Sequence, residues 1–385
     1  VRYTPAALSE LPMWTGAVSG ESLAALKQSC RTLMRKPDWN TACQNSAGVN
    51  PTDSKAVRSF FEQHFDAWQV EDSARDSGLI TGYFEPMLSG SRKQSSLTPY
   101  PVYGVPTDLI SVEVSAAERG RNQLVVRRAG QRWLVVPGKS APDAGELVLN
   151  PSEFPADPQS GRFKARQAGN RLVPYYSRAE LEAGPLFSAP VLAWVTAATD
   201  LFALQVQGSG RILLEDGSVL RVNMAEHNGQ GYQSIGKVLI ERGELTPGQA
   251  TWPGIQAWVR AHPEQRQALF NRNPRYIFFR PGPDTGTGPI GTLGVPLTNG
   301  YSLAVDKRYI PLGAPVLLAT TWPNSNAPLH RLMNAQDTGS AIKGPVRADF
   351  FWGYGNDAGQ LAGSMKQPGR LWILLPKGMR PNPAL

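Results

Sequence analysis

Beyond residue 300 the sequence reads Ser302-Leu-Ala-Val305, Val316-Leu-Leu-Ala319, Leu329-His-Arg-Leu-Met-Asn334 and Leu371-Trp-Ile-Leu-Leu375. These runs are short and apolar, and turn residues separate them, a pattern that suits strands better than helices. Leu79-Ile-Thr-Gly-Tyr-Phe-Glu-Pro86 and Tyr100-Pro-Val-Tyr-Gly-Val-Pro106 have the same character. Between the two groups lie two hairpin patterns. Gln123–Arg128 and Arg132–Val136 flank Ala129-Gly130-Gln131, and Arg211–Leu214 and Val219–Val222 flank Asp216-Gly217, a type I′ turn signal. Many short strands split by turns predict a mainly β, barrel-type fold rather than a doubly wound sheet. The stretch Pro281–Pro289, rich in Pro and Gly, reads as a linker.

Helical spacing appears in two places. Near the start, residues 21–35 put Leu23, Leu26, Cys30 and Leu33 on one face. After a cap at Thr52 or Asp53, Val57, Phe60, Phe61, His64, Phe65 and Trp68 recur at helical spacing, a core stripe with His64 packed in it. Between about 232 and 271, Ile235, Val238 and Leu239 share a face, Gly243 is a natural terminator, and Pro253 can start the next helix.

The chain has 385 residues, enough for two cores, and a formal charge of +8. Attraction to anionic polymers follows. The basic residues are scattered, however, and the densest groups, Arg119 with Arg121 and Arg127 with Arg128, carry no nucleic-acid motif. No nucleic-acid partner is expected. The two cysteines, Cys30 and Cys43, suit a disulfide closing a small loop and an oxidising compartment, with two buried thiols as the alternative. The four histidines lack ligand spacing, so neither a metal nor another cofactor is expected. No apolar run is long enough to span a bilayer. The chain begins at Val1 without an initiator Met, a signal peptide or a lipid-attachment cysteine, so a processed or trimmed portion is expected.

Several chemical motifs are absent. Gly208-Ser209-Gly210 lacks the third glycine of a dinucleotide fingerprint, and there is no Walker loop or Gly-x-Ser-x-Gly elbow. Three aspartates remain, each at a predicted strand end: Asp306, Asp337 and Asp349. The turn Gly339–Gly344 can bring the last two together, although aspartates are also ordinary turn residues. Asp349 is followed by Phe350, Phe351 and Trp352. Aromatic faces match the C–H faces of sugar rings, and they raise a carboxyl pKa toward that of a general acid. Tyr83 and Phe84 form a second aromatic group beside Glu85. Gln205-Val-Gln207-Gly208-Ser209-Gly210 reads as a strand with both Gln side chains on one face and then a turn exposing N–H groups. That arrangement suits hydroxyl and acetamido groups, and an ordinary strand and turn is the alternative.

Taken in order, Thr81-Gly-Tyr-Phe-Glu-Pro86, Gln205-Val-Gln-Gly-Ser-Gly210 and the three-aspartate segment ending Asp349-Phe-Phe-Trp-Gly353 resemble the membrane-bound lytic transglycosylase A family. Asn228-Gly-Gln-Gly-Tyr232 and Ser234-Ile-Gly-Lys-Val-Leu239 are similar too. The resemblance spans about residues 75 to 376. It implies a double-psi β-barrel domain from residues 1–106 and 282–385, with an inserted β-rich domain, 107–281, as the other wall of a glycan groove. It further implies Asp349 as catalytic residue, with Asp337 in support and Asp306 as third aspartate. Substrate would be held by Tyr83, Gln205, Gln207, Gly208, Ser209, Gly210, Asn228, Tyr232, Lys237 and Trp352. The implied activity is cleavage of the β-1,4 bond between N-acetylmuramic acid and N-acetylglucosamine in peptidoglycan strands, leaving 1,6-anhydromuramic ends. The implied protein is a periplasmic monomer, attached to the outer membrane by a lipid anchor outside this chain, with wall-synthesis proteins as possible partners. An inverting glycoside hydrolase and a non-catalytic peptidoglycan-binding protein are the alternatives.

Overall fold

In the computed structural model, residues 1–73, 75–130, 132–155, 162–184, 187–283 and 288–382 are described. The hairpin residue Gln131 and the centre of the linker, residues 284–287, lie outside the described residues. The chain divides into Val1–Met87 with Gly282–Leu385, and Leu88–Pro281. The first break therefore comes earlier than position 106, because Met87–Ser91 and Tyr100–Tyr103 pair into the sheet of the second unit.

In the first unit six strands close on themselves. Their order is Lys366–Pro376, Pro315–Thr321, Pro328–Asp337, Ser302–Val305, Arg347–Tyr354 and Gly78–Glu85, which pairs back to Lys366–Pro376. Ser302–Val305 runs parallel to Pro328–Asp337, and Gly78–Glu85 runs parallel to Arg347–Tyr354; the remaining pairs are antiparallel. Two parallel pairs in a six-stranded ring are consistent with a double-psi barrel. Alternate residues point inward, as the two-residue period requires. Leu303, Val305, Val316, Ala335, Phe350 and Ile373 share one core with Leu26, Leu33 and Phe61 from helices outside the ring.

Those helices are Gly20–Leu33, capped by Ser19, then Pro37–Ala47 with proline in its first turn, and Ser54–His64, capped by Asp53. The last one stops at His64, so Phe65 and Trp68 are not helical. They belong to the strand Phe65–Glu71, which pairs with Lys366–Pro376 on one side and Arg2–Ala6 on the other. Phe65, Ala67 and Val70 are buried in that strand. Pairing to an exposed sheet edge has overridden a helical spacing that is locally just as good.

Gly20–Leu33 is tied to the barrel by buried polar contacts. Gln336 donates through Nε2 to Ala25 O at 2.8 Å and to Ser29 Oγ at 2.9 Å. Cys30 and Cys43 are joined in a disulfide across a separation of 13 residues, linking this helix to Pro37–Ala47.

The second unit contains a separate closed barrel of Ile110–Glu113, Leu124–Ala129, Arg132–Val135, Glu146–Leu149, Arg162–Ala168 and Arg171–Pro174. Val112, Val126, Leu149, Phe163 and Leu172 fill it. A six-stranded sheet follows in the order Ile277–Pro281, Val219–His227, Ser209–Leu214, Met87–Ser91, Val191–Val195 and Tyr100–Tyr103. Helices Ala198–Gln207, Ile235–Glu241, Trp252–Ala261 and Arg266–Phe270 build a further apolar cluster around Phe202, Leu239, Trp258 and Phe270.

Closing a loop of this length restricts the unfolded chain by about 3 kcal/mol. Replacing both Cys30 and Cys43 by Ser is therefore expected to lower stability by about 2–3 kcal/mol, read as a lower urea midpoint. An unchanged midpoint would show that the link contributes nothing to folding.

Candidate active site

Strand register assembles the site in the first unit. Ala304 lies opposite Asp337 on one side and Asp349 on the other, so the two aspartates flank a single strand. Two strand spacings separate their backbones, about 10 Å. On its other edge Asp349 lies opposite Thr81, and Phe351 opposite Tyr83. Ala348 and Phe350 are fully buried in the barrel core, as is Ile80. By alternation Arg347, Asp349 and Phe351 point away from that core, as do Thr81 and Tyr83.

Asp349 accepts a hydrogen bond at Oδ1 from Thr81 Oγ1 at 2.7 Å. Arg347 Nη2 donates to the same Thr81 oxygen at 2.9 Å, and its Nη1 donates to Ala348 O at 2.6 Å. The guanidinium thus orients the hydroxyl, and the hydroxyl orients the acid. Among the described residues nothing donates to Oδ2 of Asp349, and the residue retains a partial opening to solvent. Burial pushes its pKa up to about 6, against the opposing pull of Thr81 and Arg347, and the charge of Asp337 pushes in the same direction as burial. At neutral pH such a group can both give and regain a proton.

Asp337 is held differently. Its Oδ1 accepts from Thr292 N at 2.9 Å, Thr292 Oγ1 at 2.8 Å and Thr338 N at 2.9 Å, and its Oδ2 accepts from the Tyr83 hydroxyl at 3.2 Å. Burial raises its pKa, and these four donors counter the rise. Burial and the two neighbouring carboxylates keep the Tyr83 phenol protonated, well above its ordinary range. The Tyr83 ring packs on Phe351 with centroids 5.2 Å apart.

Asp306 is engaged elsewhere. Arg308 donates to both its oxygens, with Nε at 2.9 Å from Oδ1, and Gly344 N donates to Oδ2 at 2.9 Å. Burial would raise the Asp306 pKa, but these donors outweigh it and the pKa is lowered. Asp306 is a fixed carboxylate that pins the segment joining Asp337 to Asp349.

Trp352 lies on the other side of its strand from Asp349. It packs 4.3 Å from Phe350 and 5.4 Å from Trp322, and a side-chain carbon added at Gly82 would come within 2.7 Å of its Nε1. On the Asp349 side Phe351 is itself fully buried, and Tyr83 is partly exposed. Thr81, Arg347 and Thr292 are site residues that the sequence analysis did not single out. Arg347 was detectable, since it stands two residues before Asp349 and therefore on the same face of a strand.

The remaining candidates lie in the second unit. Gln205 and Gln207 are not on a strand: they form the last turn of the helix Ala198–Gln207. Leu201, Phe202, Leu204 and Gln205 are buried at helical spacing, and Gly208, at φ +79°, terminates the helix in the left-handed region. The Gly208 N–H is used by Leu204 O, while Ser209 and Gly210 enter the hairpin ladder opposite Asn223 and Val222. Gln205 is buried, with its amide at the Tyr276 hydroxyl. Asn228 is also buried. It donates to Tyr176 O and Pro274 O at 2.9 and 2.8 Å and accepts from Tyr276 N at 2.9 Å. Its role here is to hold the loop that presents the exposed Tyr232. Lys237 is exposed, with Glu241 at 3.8 Å.

Comparison with known proteins matches this architecture. Residues 79–280 match the MltA specific insert domain, and residues 301–375 match the 3D domain. Membrane-bound lytic murein transglycosylase A of Escherichia coli K12 is 30% identical over 331 residues, covering 84% of this chain and 72% of that protein. The crystal structure of MltA from Neisseria gonorrhoeae superposes with a TM-score of 0.85 at 37% identity, covering 99% of this chain and 92% of the other. E. coli MltA with bound chitohexaose superposes with a TM-score of 0.67 at 26% identity, over 97% and 94% of the two chains. The chain belongs to the membrane-bound lytic murein transglycosylase A family.

Proposed function

We propose that this chain cleaves peptidoglycan glycan strands at the β-1,4 bond from N-acetylmuramic acid to N-acetylglucosamine, with Asp349 as the single acid and then base. The observation that carries the reading is the contrast between the two carboxyls. Asp349 has a pKa of about 6 and an oxygen without a donor, whereas four hydrogen bonds occupy Asp337. Protonated Asp349 gives its proton to the glycosidic oxygen as the C1–O bond breaks. The acetamido oxygen of the muramic ring stabilises the charge at C1. Ionised Asp349 then takes the C6 hydroxyl proton as O6 closes onto C1, so the acid is restored and no water is consumed. Asp337, through Tyr83, keeps negative charge beside the reacting centre and the phenol in place.

The relatives named membrane-bound support a place in the cell envelope. Among the described residues no helix is long and apolar enough to cross a membrane. We place the protein in the periplasm as a monomer, held at the outer membrane through a lipid anchor.

Mass spectrometry of products from peptide-free glycan strands tests the reaction. Muramic ends one water lighter than hydrolytic ends are expected from the wild type, with cleavage by Asp349→Asn reduced about 100-fold or more. Reducing ends would instead indicate an inverting hydrolase with Asp337 as base, and binding without cleavage a glycan-binding protein.

The rate is expected to fall as pH rises through about 6, where Asp349 loses its proton. Thr81→Val removes a donor that favours the carboxylate, so the alkaline limb should move up. Asp337→Asn removes a neighbouring negative charge, so it should move down. Limbs that do not separate in these directions would assign the titration to another group.

Asp349 also affects stability. Its folded pKa exceeds the unfolded value, so the stability it contributes is present at low pH and lost as pH rises through about 6. Asp349→Asn should therefore be more stable than wild type at pH 7.5 by roughly 1–3 kcal/mol and little different at pH 4.

A further inference from the structure

A cleft of about 620 Å³ opens on the barrel of the second unit, well inside the size range of ligand sites. It is lined by Arg128, Arg132, Arg162 and Arg166 together with Trp133 and Tyr176. Four guanidinium groups face two acids, and both acids are already engaged. Glu113 is paired with Arg162 at 2.9 Å, and Asp108 accepts from the Tyr175 hydroxyl at 2.8 Å. Among the described residues Arg128, Arg132 and Arg166 have no acidic partner. Arg128 Nε reaches only the carbonyl of Gly130 at 3.0 Å. Arg166 lies with its guanidinium carbon 4.3 Å from the centre of the Tyr176 ring, and its Nε is buried without an acceptor.

A buried donor left unmade is costly, and a planar guanidinium stacked on an aromatic ring is already oriented for a planar, two-oxygen anion. The guanidinium of Arg166 is held against its ring, and Arg132 and Arg128 line the same cleft without an acidic partner among the described residues. Several cations spread over one cleft suit a ligand bearing more than one carboxylate. A neutral sugar chain would leave these cations unpaired.

We propose that this cleft binds the carboxylates of the peptide stems carried by peptidoglycan, giving the chain a second contact with its polymer apart from the sugars. The proposal rests on the substrate class inferred above. Murein carries two kinds of carboxylate: those of the stem peptide, and the lactyl group of muramic acid exposed when the peptide is removed. The number and spread of the arginines favour the peptide.

The test is isothermal titration calorimetry of the whole chain with the free tetrapeptide L-Ala-γ-D-Glu-meso-diaminopimelate-D-Ala, and separately with peptide-free strands. The wild type should bind the tetrapeptide, more weakly as salt rises. Arg132→Gln with Arg166→Gln should weaken that binding about tenfold or more. Arg132→Gln alone changes an exposed side chain and gives a several-fold loss even if the double variant folds poorly. Tetrapeptide affinity that is absent in the wild type, or the same in both variants, overturns the proposal. So does arginine-dependent binding of peptide-free strands alone, which would assign the cleft to the lactyl carboxylate. Binding is read without turnover, so failure of the cleavage chemistry in the product analysis leaves this outcome separately readable.

Discussion

The site depends on one strand pairing. Arg347–Tyr354 lies between Ser302–Val305 and Gly78–Glu85, and its register sets Asp349 beside Thr81 across 268 residues of sequence. The same pairing closes the ring of the first unit, because Gly78–Glu85 also bonds to Lys366–Pro376. A slip of one residue would turn Asp349 into the apolar core and Phe350 out to solvent. Fold stability and site geometry are therefore set by the same hydrogen-bond ladder, and Ala348 and Phe350 guard the position of the acid by being buried on either side of it.

Within that frame the two carboxyls are distinguished by their donors rather than by depth. Both have pKa values raised by burial, yet Asp337 receives four hydrogen bonds and Asp349 one. Under-coordination leaves one Asp349 oxygen without a donor and makes the ionised residue a local liability to the fold. Asp306 is the counter-example in the same segment: with Arg308 and Gly344 as donors it stays ionised and serves the backbone.

Much of the fold was legible in the sequence. The C-terminal strands, Leu79–Pro86 and the hairpin around Asp216-Gly217 occur where their spacing predicts, although Gly217 has a positive φ and Asp216 does not, so the turn is not type I′; the helix after Asp53 also forms but ends at His64. Failures came where two periods fit equally well. Phe65 and Trp68 extend a helical stripe but also alternate as a strand, and only the distant edge of Lys366–Pro376 decides between them. Gln205 and Gln207 satisfy a two-residue period, yet Leu201 and Phe202 upstream belong with them on a helix that Gly208 ends. At the site, the residue type and neighbours of Asp349 marked it as chemically interesting, but the resemblance was needed to choose it over Asp306 and Asp337. Its aromatic flank misled, since adjacent residues on a strand face opposite ways: Phe351 stands on its side and Trp352 does not. Thr81 was hidden because its importance is a matter of register rather than of composition, whereas strand alternation alone puts Arg347 on the Asp349 face.

The split ring has a consequence for the life of the chain before it is finished. Synthesis runs from the N-terminal side onward, so Thr81 emerges long before Asp349. The second unit, Leu88–Pro281, has a closed barrel and cores of its own that a growing chain can complete meanwhile. Asp349 and the Thr81 hydroxyl that orients it meet only once the strand Arg347–Tyr354 has been delivered. A chain that stops before Arg347–Tyr354 thus has the residues of the second unit's cores but lacks the strand that sets Asp349 beside Thr81.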